Sequence, residues 1–210
     1  ESCGEKSLLP SLRPSKNNIE HAMIRDHDFE IQEVAVAKFE TERLVLRPFE
    51  AKDAAGLFEM LSHPRVHCFA PDRLDSMEAA VADVARRSAD PVQLAVCLKE
   101  QDEMIGLMFA ANDEPDTYGV GWHLSASHEG KGYASEAARA FIGILFTHKG
   151  ARRIYAYVED DNIRSQKLCE RLGMRREGLF KEFISFVSNA DGTPKYENTC
   201  LYALLKKEWE

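Results

Sequence analysis

The residues with the most chemistry in this chain are Glu129-Gly130-Lys131-Gly132-Tyr133-Ala134. Two glycines around one lysine leave a loop almost free of side-chain bulk. The chain then runs into Ser135-Glu136-Ala137, the start of an apolar-striped segment. Backbone N–H groups in such a loop can crowd around a phosphate, helped by the positive end of the helix that follows. Two common phosphate loops do not fit. The nucleoside-triphosphate loop needs Gly-x-x-x-x-Gly-Lys-Ser/Thr. Aligning Gly130-Lys131 with it puts Ser125 at the first glycine and Gly132 at the hydroxyl. The dinucleotide-binding loop needs a glycine or alanine where Ser135 stands. The pattern points to a phosphorylated cofactor of another kind, with a plain glycine turn as the alternative.

A second constellation is Asn162 with Ser165. Residues 151–158 read as a strand in which Ile154, Ala156 and Val158 alternate. Ile163 to Leu172 reads as a short helix that Gly173 ends. Asn162 is a good N-cap and Ser165 is the third helical residue. Ser165 reads equally well as a first-turn serine that satisfies backbone. Neighbouring strand residues point apart, so Glu159-Asp160-Asp161 reads as solvated charge or as attraction for a cation, not as a metal set. His123 is a candidate base, since imidazole titrates at about 6.5. Strand alternation puts Trp122 and His123 on opposite faces and leaves open which one faces a cleft.

These residues need a scaffold. Residues 1–38 read as an extension, polar to about Asp28, with a strand hint at Phe29, Ile31, Val34 and Val36. Residues 39–210 read as one domain. Arg43 to Arg47 is a strand, and Asp53 caps a helix through Leu61. Asp75 and Glu78 form a capping-box pattern before a helix to about Arg87. Val92 to Leu98 and Met104 to Ala111 are strands apolar enough for burial on both faces. Tyr118 to Leu124 is a strand that feeds the glycine loop. Ala134 to His148 is a helix with Ala137, Ala138, Phe141 and Leu145 on one face. Arg175 to Ser188 and Asn198 to Leu205 are late strands around Asn189-Ala190-Asp191-Gly192. Antiparallel hairpins with helices on the sheet faces make an α+β domain.

The loop Gly130 to Ala134, the spacing Asn162-x-x-Ser165 and the ending Leu168-Cys169-Glu170-Arg171-Leu172-Gly173-Met174 together resemble the GNAT acetyltransferase superfamily. Thr41-Glu42-Arg43-Leu44-Val45-Leu46-Arg47-Pro48 resembles the opening of the branch related to ribosomal-protein alanine and serine N-acetyltransferases. The resemblance covers residues 39 to 207. It implies a mixed, mostly antiparallel sheet of about six or seven strands. Helices would lie on both faces, and the fourth and fifth strands, here Tyr118–Leu124 and Arg153–Val158, would splay apart.

It also implies an activity, the transfer of acetyl from acetyl-CoA to a primary amine, possibly a protein N-terminus, in a ternary complex. A small-molecule acceptor (amino acid, polyamine or antibiotic) and a non-catalytic acyl-CoA-binding module are the alternatives. Backbone around Trp122, Leu124 and Ala126 would meet the thioester and pantetheine. Glu129, Gly130, Lys131, Gly132, Tyr133 and Ala134 would take the pyrophosphate, Glu129 through its backbone only. Asn162 would bond the pantetheine. Family members often carry tyrosine where Cys169 stands, so Ser165 becomes the candidate donor to the departing sulfur, with Cys169 read as a buried structural thiol. His63, His67 and Phe69 fall in the segment that shapes the acceptor side.

Composition agrees with this. The chain has 210 residues and a formal net charge of −8, which disfavours nucleic acid and mildly favours a cationic partner. No apolar run spans a membrane. Cys3, Cys68, Cys97, Cys169 and Cys200 are odd in number and lack metal-ligand spacing, and read as reduced thiols of a cytoplasmic protein. No metal is expected. The oligomeric state reads as monomer or homodimer.

Overall fold

A computed structural model describes residues 38–113 and 115–209. The strand hint at residues 29–36, and all but the last residue of the expected extension, lie outside them. The described chain forms one sheet with the strand order β1-β2-β3-β4-β5-β6-β8-β7. The strands are β1 (Phe39–Glu40), β2 (Leu44–Arg47), β3 (Gln93–Leu98), β4 (Met104–Asp113), β5 (Thr117–Leu124), β6 (Arg153–Glu159), β7 (Arg175–Ser188) and β8 (Pro194–Leu205). The helices are α1 (Ala54–Leu61), α2 (Met77–Ser88), α3 (Tyr133–His148) and α4 (Ile163–Arg171). Eight strands exceed the expected number because Phe39–Glu40 adds a two-residue edge strand beside β2. Neighbours run antiparallel except β5 and β6, which are parallel and are joined by α3. A parallel pair needs a crossover connection, and α3 supplies it.

Alternation along the strands sorts the core into two layers. Leu44, Leu46, Val96, Met108, Val120, Ile154, Ala156 and Val158 face α3 and α4, and Ile105 joins them where a bulge opposite Val96 and Cys97 interrupts the alternation. Val45, Ala95, Cys97 and Leu107 face α1 and α2. This is why β3 and β4 are apolar on both sides. On α3, the buried Ala137, Ala138, Phe141, Ile142 and Leu145 form the packed stripe. Burying each large member stabilises by about 1.5–3 kcal/mol relative to exposure.

Two helix starts differ from the sequence reading. The N-cap of α2 is Ser76, not Asp75. Ser76 is extended, and its Oγ accepts from the Ala79 N–H at 3.2 Å. Asp75 instead pairs with Arg73 at 3.1 Å. Asp53 does precede α1, but its side chain makes no cap bond. It turns back to accept the Glu50 N–H at 2.7 Å and to take both terminal nitrogens of Arg47, at 2.7 and 2.9 Å. Arg47 and Asp53 are 4% and 2% exposed. Burial opposes the Arg47 charge, but the hydrogen bonds from Asp53 outweigh it and move the guanidinium pKa up. Removing one partner strands the other charge in the interior. Asp53→Ala should therefore lower unfolding free energy by about 3–5 kcal/mol, read as a lower urea midpoint.

Candidate functional site

The glycine loop has the backbone its composition requires. Gly130 and Gly132 have φ of 74° and 84°, in the left-handed region where a Cβ is strained. Gly132 is the N-cap of α3, and its C=O accepts the N–H groups of Ser135 and Glu136, each at 3.1 Å. The N–H groups from Gly130 to Ala134 find no hydrogen-bond partner among the described residues. Five donors at the positive helix end are therefore left without a described partner.

A brace from the other end of the domain holds this loop. Glu136, in the first turn of α3, accepts from Thr41 Oγ1 at 2.6 Å, Arg43 N–H at 2.8 Å and Arg43 Nε at 2.8 Å. Arg43 also donates to the Lys131 C=O at 2.9 Å and lies 4.7 Å from the Tyr133 ring centroid. Sequence reasoning missed this brace. The signal was there in Thr41-x-Arg43 and in a carboxylate three residues into α3, but nothing local links positions so far apart.

The gap beside the loop is real. β5 and β6 pair only at Thr117, Tyr118 and Gly119, with Arg153, Ile154 and Tyr155. Beyond Gly119 they part. The Ser125 N–H donates to Ile105 C=O of β4. By alternation, the backbone N–H and C=O of Val120, Trp122 and Leu124 point the other way, into the gap. The edge then continues through Ala126 and Glu129 to the glycine loop.

On the α4 side of the gap, Trp122 Nε1 donates to Ser165 Oγ at 3.0 Å. An indole N–H can only donate, so Ser165 accepts and keeps its own proton to give elsewhere. Asn162 Oδ1 accepts the Ser165 N–H at 3.2 Å, as a cap should, and its amide nitrogen bonds no described residue. Cys169 is fully buried, and burial pushes its thiol up to about 12. On the opposite face His123 lies 4.5 Å, ring to ring, from Phe69. Burial, then the charges of Arg65 and Arg87, lower its pKa to about 4, so the imidazole is neutral near pH 7. Its buried Nδ1 has no partner among the described residues. His67 shares this face and pairs with Glu197. His63 does not join them: it is exposed, its Nδ1 3.2 Å from Ser62 Oγ.

Glu129 does not simply turn to solvent. Its carboxylate pairs with Arg65 and, at 2.6 Å, with Arg164, which offsets the charge it would otherwise set beside an anion. Among the described residues no group of His, Cys, Asp and Glu is placed to hold a metal, and no helix is long and apolar enough to cross a membrane. Cys68, Cys97, Cys169 and Cys200 are free thiols.

A glycine loop at the end of a splayed parallel pair has a match among known proteins. Residues 43–175 match the model of the acetyltransferase (GNAT) domain. An uncharacterized N-acetyltransferase of Bacillus subtilis, YnaD, is 34% identical over 174 residues, which cover 80% of this chain and 97% of the relative. The ribosomal-protein-serine acetyltransferase of Escherichia coli is 27% identical over 72% of this chain and 80% of its own length. A GNAT-family acetyltransferase crystal structure from Bacillus anthracis superposes with a TM-score of 0.72 at 29% identity, over 82% of this chain and all of the other. The chain belongs to the GNAT acetyltransferase family. It is an acyl-CoA-dependent N-acetyltransferase.

The brace predicts a pH signature. Burial raises the Glu136 pKa, but the bonds from Thr41 and Arg43 prevail and hold it below 4.5. A lowered carboxylate pKa stabilises the fold fully above the unfolded value, and that stability is lost as pH falls through the folded one. Glu136→Gln should therefore be less stable at neutral pH. The difference from the parent protein should shrink as pH drops below about 4.5, measured by urea unfolding across pH.

Proposed function

We propose that the protein moves the acetyl group of acetyl-CoA to a primary amine, a protein N-terminus, by direct attack within a ternary complex. The observation that carries this reading is a strand edge whose backbone groups pair with no neighbouring strand and which runs directly into a loop of N–H donors without a described partner. A linear cofactor with an amide-bearing arm and a pyrophosphate end has that shape of hydrogen-bonding demand. In this reading the arm pairs with the backbone of Trp122, Leu124 and Ala126, and the free amide nitrogen of Asn162 bonds it from the other side. The pyrophosphate takes the N–H groups from Gly130 to Ala134, with Glu129 contributing backbone only. The relative named for acting on ribosomal-protein serine supports a protein acceptor.

The chemistry needs little else, because a thioester is already activated. The amine nitrogen attacks the carbonyl carbon and an oxyanion forms near the N–H edge of β5. The C–S bond then breaks, the surplus proton on nitrogen passes to solvent water, and the sulfur departs as a thiolate. Preformed donors aimed at developing charge supply the main stabilisation. Ser165, held by Trp122 with its proton free, donates to the departing sulfur. His123 is a weak proton acceptor with a pKa of about 4. We assign it to the wall of the acceptor side rather than to proton transfer.

Gly132→Asp would place a bulky anion at the phosphate nest. It should weaken acetyl-CoA binding at least tenfold, about 1.4 kcal/mol, by calorimetry. Unchanged affinity in a folded variant would remove the basis of the reading. Ser165→Ala should lower kcat by about ten- to a hundredfold with little change in cofactor affinity. Cys169→Ala should cost stability more than rate, since it trims a packed side chain. The reverse pattern in thiol-release kinetics would transfer the donor role to Cys169.

A further inference from the structure

On the α1–α2 face, the end of β6 and the start of β8 collect polar atoms that neither the fold nor the cofactor groove uses. Glu159 and Thr199 are paired residues on neighbouring strands, so their side chains are neighbours on one face. Glu197 lies two residues before Thr199 on β8, and alternation brings it to the same face. Thr199 is 4% exposed and its Oγ1 bonds no described residue. Glu197 Oε2 is buried and also unpartnered. Glu159 is 8% exposed; its Oε1 accepts the Cys68 N–H at 3.2 Å, and its carboxylate also meets the Cys68 thiol.

The segment from His67 to Phe69 roofs this cluster. His67 Nδ1 clamps Glu197 Oε1, and Lys195 Nζ lies 3.7 Å from the same oxygen. The Cys68 thiol is held protonated by burial and by the Glu159 carboxylate. Phe69 carries the wall on to His123 and its orphan Nδ1. Tyr157, with its ring 5.6 Å from Phe183 and 6.3 Å from Phe180, closes the side toward β7.

An unbonded buried polar atom is costly, so several on one face beside the gap mark a place meant to be filled. Two carboxylates and a hydroxyl call for a donor-rich cation. A primary ammonium brings three N–H donors and no acceptor. We propose that Glu159, Glu197 and Thr199 form an ammonium-binding subsite, so that the acceptor docks as a primary alkylammonium and loses one proton to solvent before its nitrogen attacks. Neutral amines of the same shape then dock poorly. His67 acts as a positioning residue that fixes Glu197 and leaves Oε2 facing the ligand. The subsite rests on the acetyltransfer reading for its role, but not for its affinity.

The test separates the two. Butylguanidinium is a cation that donates hydrogen bonds, and butylurea is its neutral counterpart of nearly the same shape. Calorimetry on the full chain should show at least tenfold tighter binding of butylguanidinium. Glu197→Gln should abolish that preference, and Thr199→Val should reduce it, in variants whose thermal unfolding shows them folded. His67→Gln, which keeps a hydrogen-bond donor to Glu197, should retain most of it. Equal binding of the two probes, or a preference untouched in Glu197→Gln, would overturn the subsite even if acetyl-CoA turnover with an amine panel is robust. Absent turnover with an intact cation preference would overturn the acetyltransfer reading and leave the subsite standing.

Discussion

The parting of β5 from β6 is the constraint around which the domain is organised. A sheet normally pairs every backbone group along its strands, and a buried one left unpaired is costly. Here the ladder stops after three residues, and the even-numbered positions of β5 turn their N–H and C=O groups to an open gap. That is tolerable only where something else can enter. Because the pair is parallel, the chain must return to its starting edge through a crossover. The crossover helix, α3, thereby begins at the mouth of the gap and sets its positive end there. One interruption in the hydrogen bonding thus fixes both the slot and its charged end.

The rest of the molecule keeps that interruption from spreading. Thr41 and Arg43 tie the entry of β2 to the first turn of α3, and Arg43 reaches the loop backbone itself. Arg47 and Asp53 lock the start of α1 beneath the sheet. Trp122 and Ser165 span the gap from its two banks with a single hydrogen bond. Each contact joins residues that local propensity alone would leave independent.

Much of this was legible in the sequence, and for identifiable reasons. The glycine loop showed itself because two positive-φ positions demand glycine. Strand and helix placements followed from period, and β3 and β4 announced their double burial through unbroken apolarity. Asn162 was readable as a cap because its bond is three residues long. Other features were not local. Ser76 took the cap from Asp75 because its backbone is the extended one. Asp53 turned away from α1 because a buried guanidinium outbid the helix start. The face to which Trp122 or His123 belongs depends on the register between β4 and β5, which no single strand encodes. The orphaned atoms of Glu197 and Thr199 emerge only when β6 and β8 lie side by side.

The bond between Trp122 and Ser165 also makes the protein its own optical gauge. The chain has two tryptophans. Trp209 packs against Arg139 and against Phe146, the latter about 20 Å along the axis of α3 from its start. Trp122 instead holds its indole N–H on the wall of the groove. Indole emission shifts with the polarity around the ring and with the fate of that N–H. A guest lying along β5 will therefore recolour one fluorophore and leave the other as an internal standard, without any label being added.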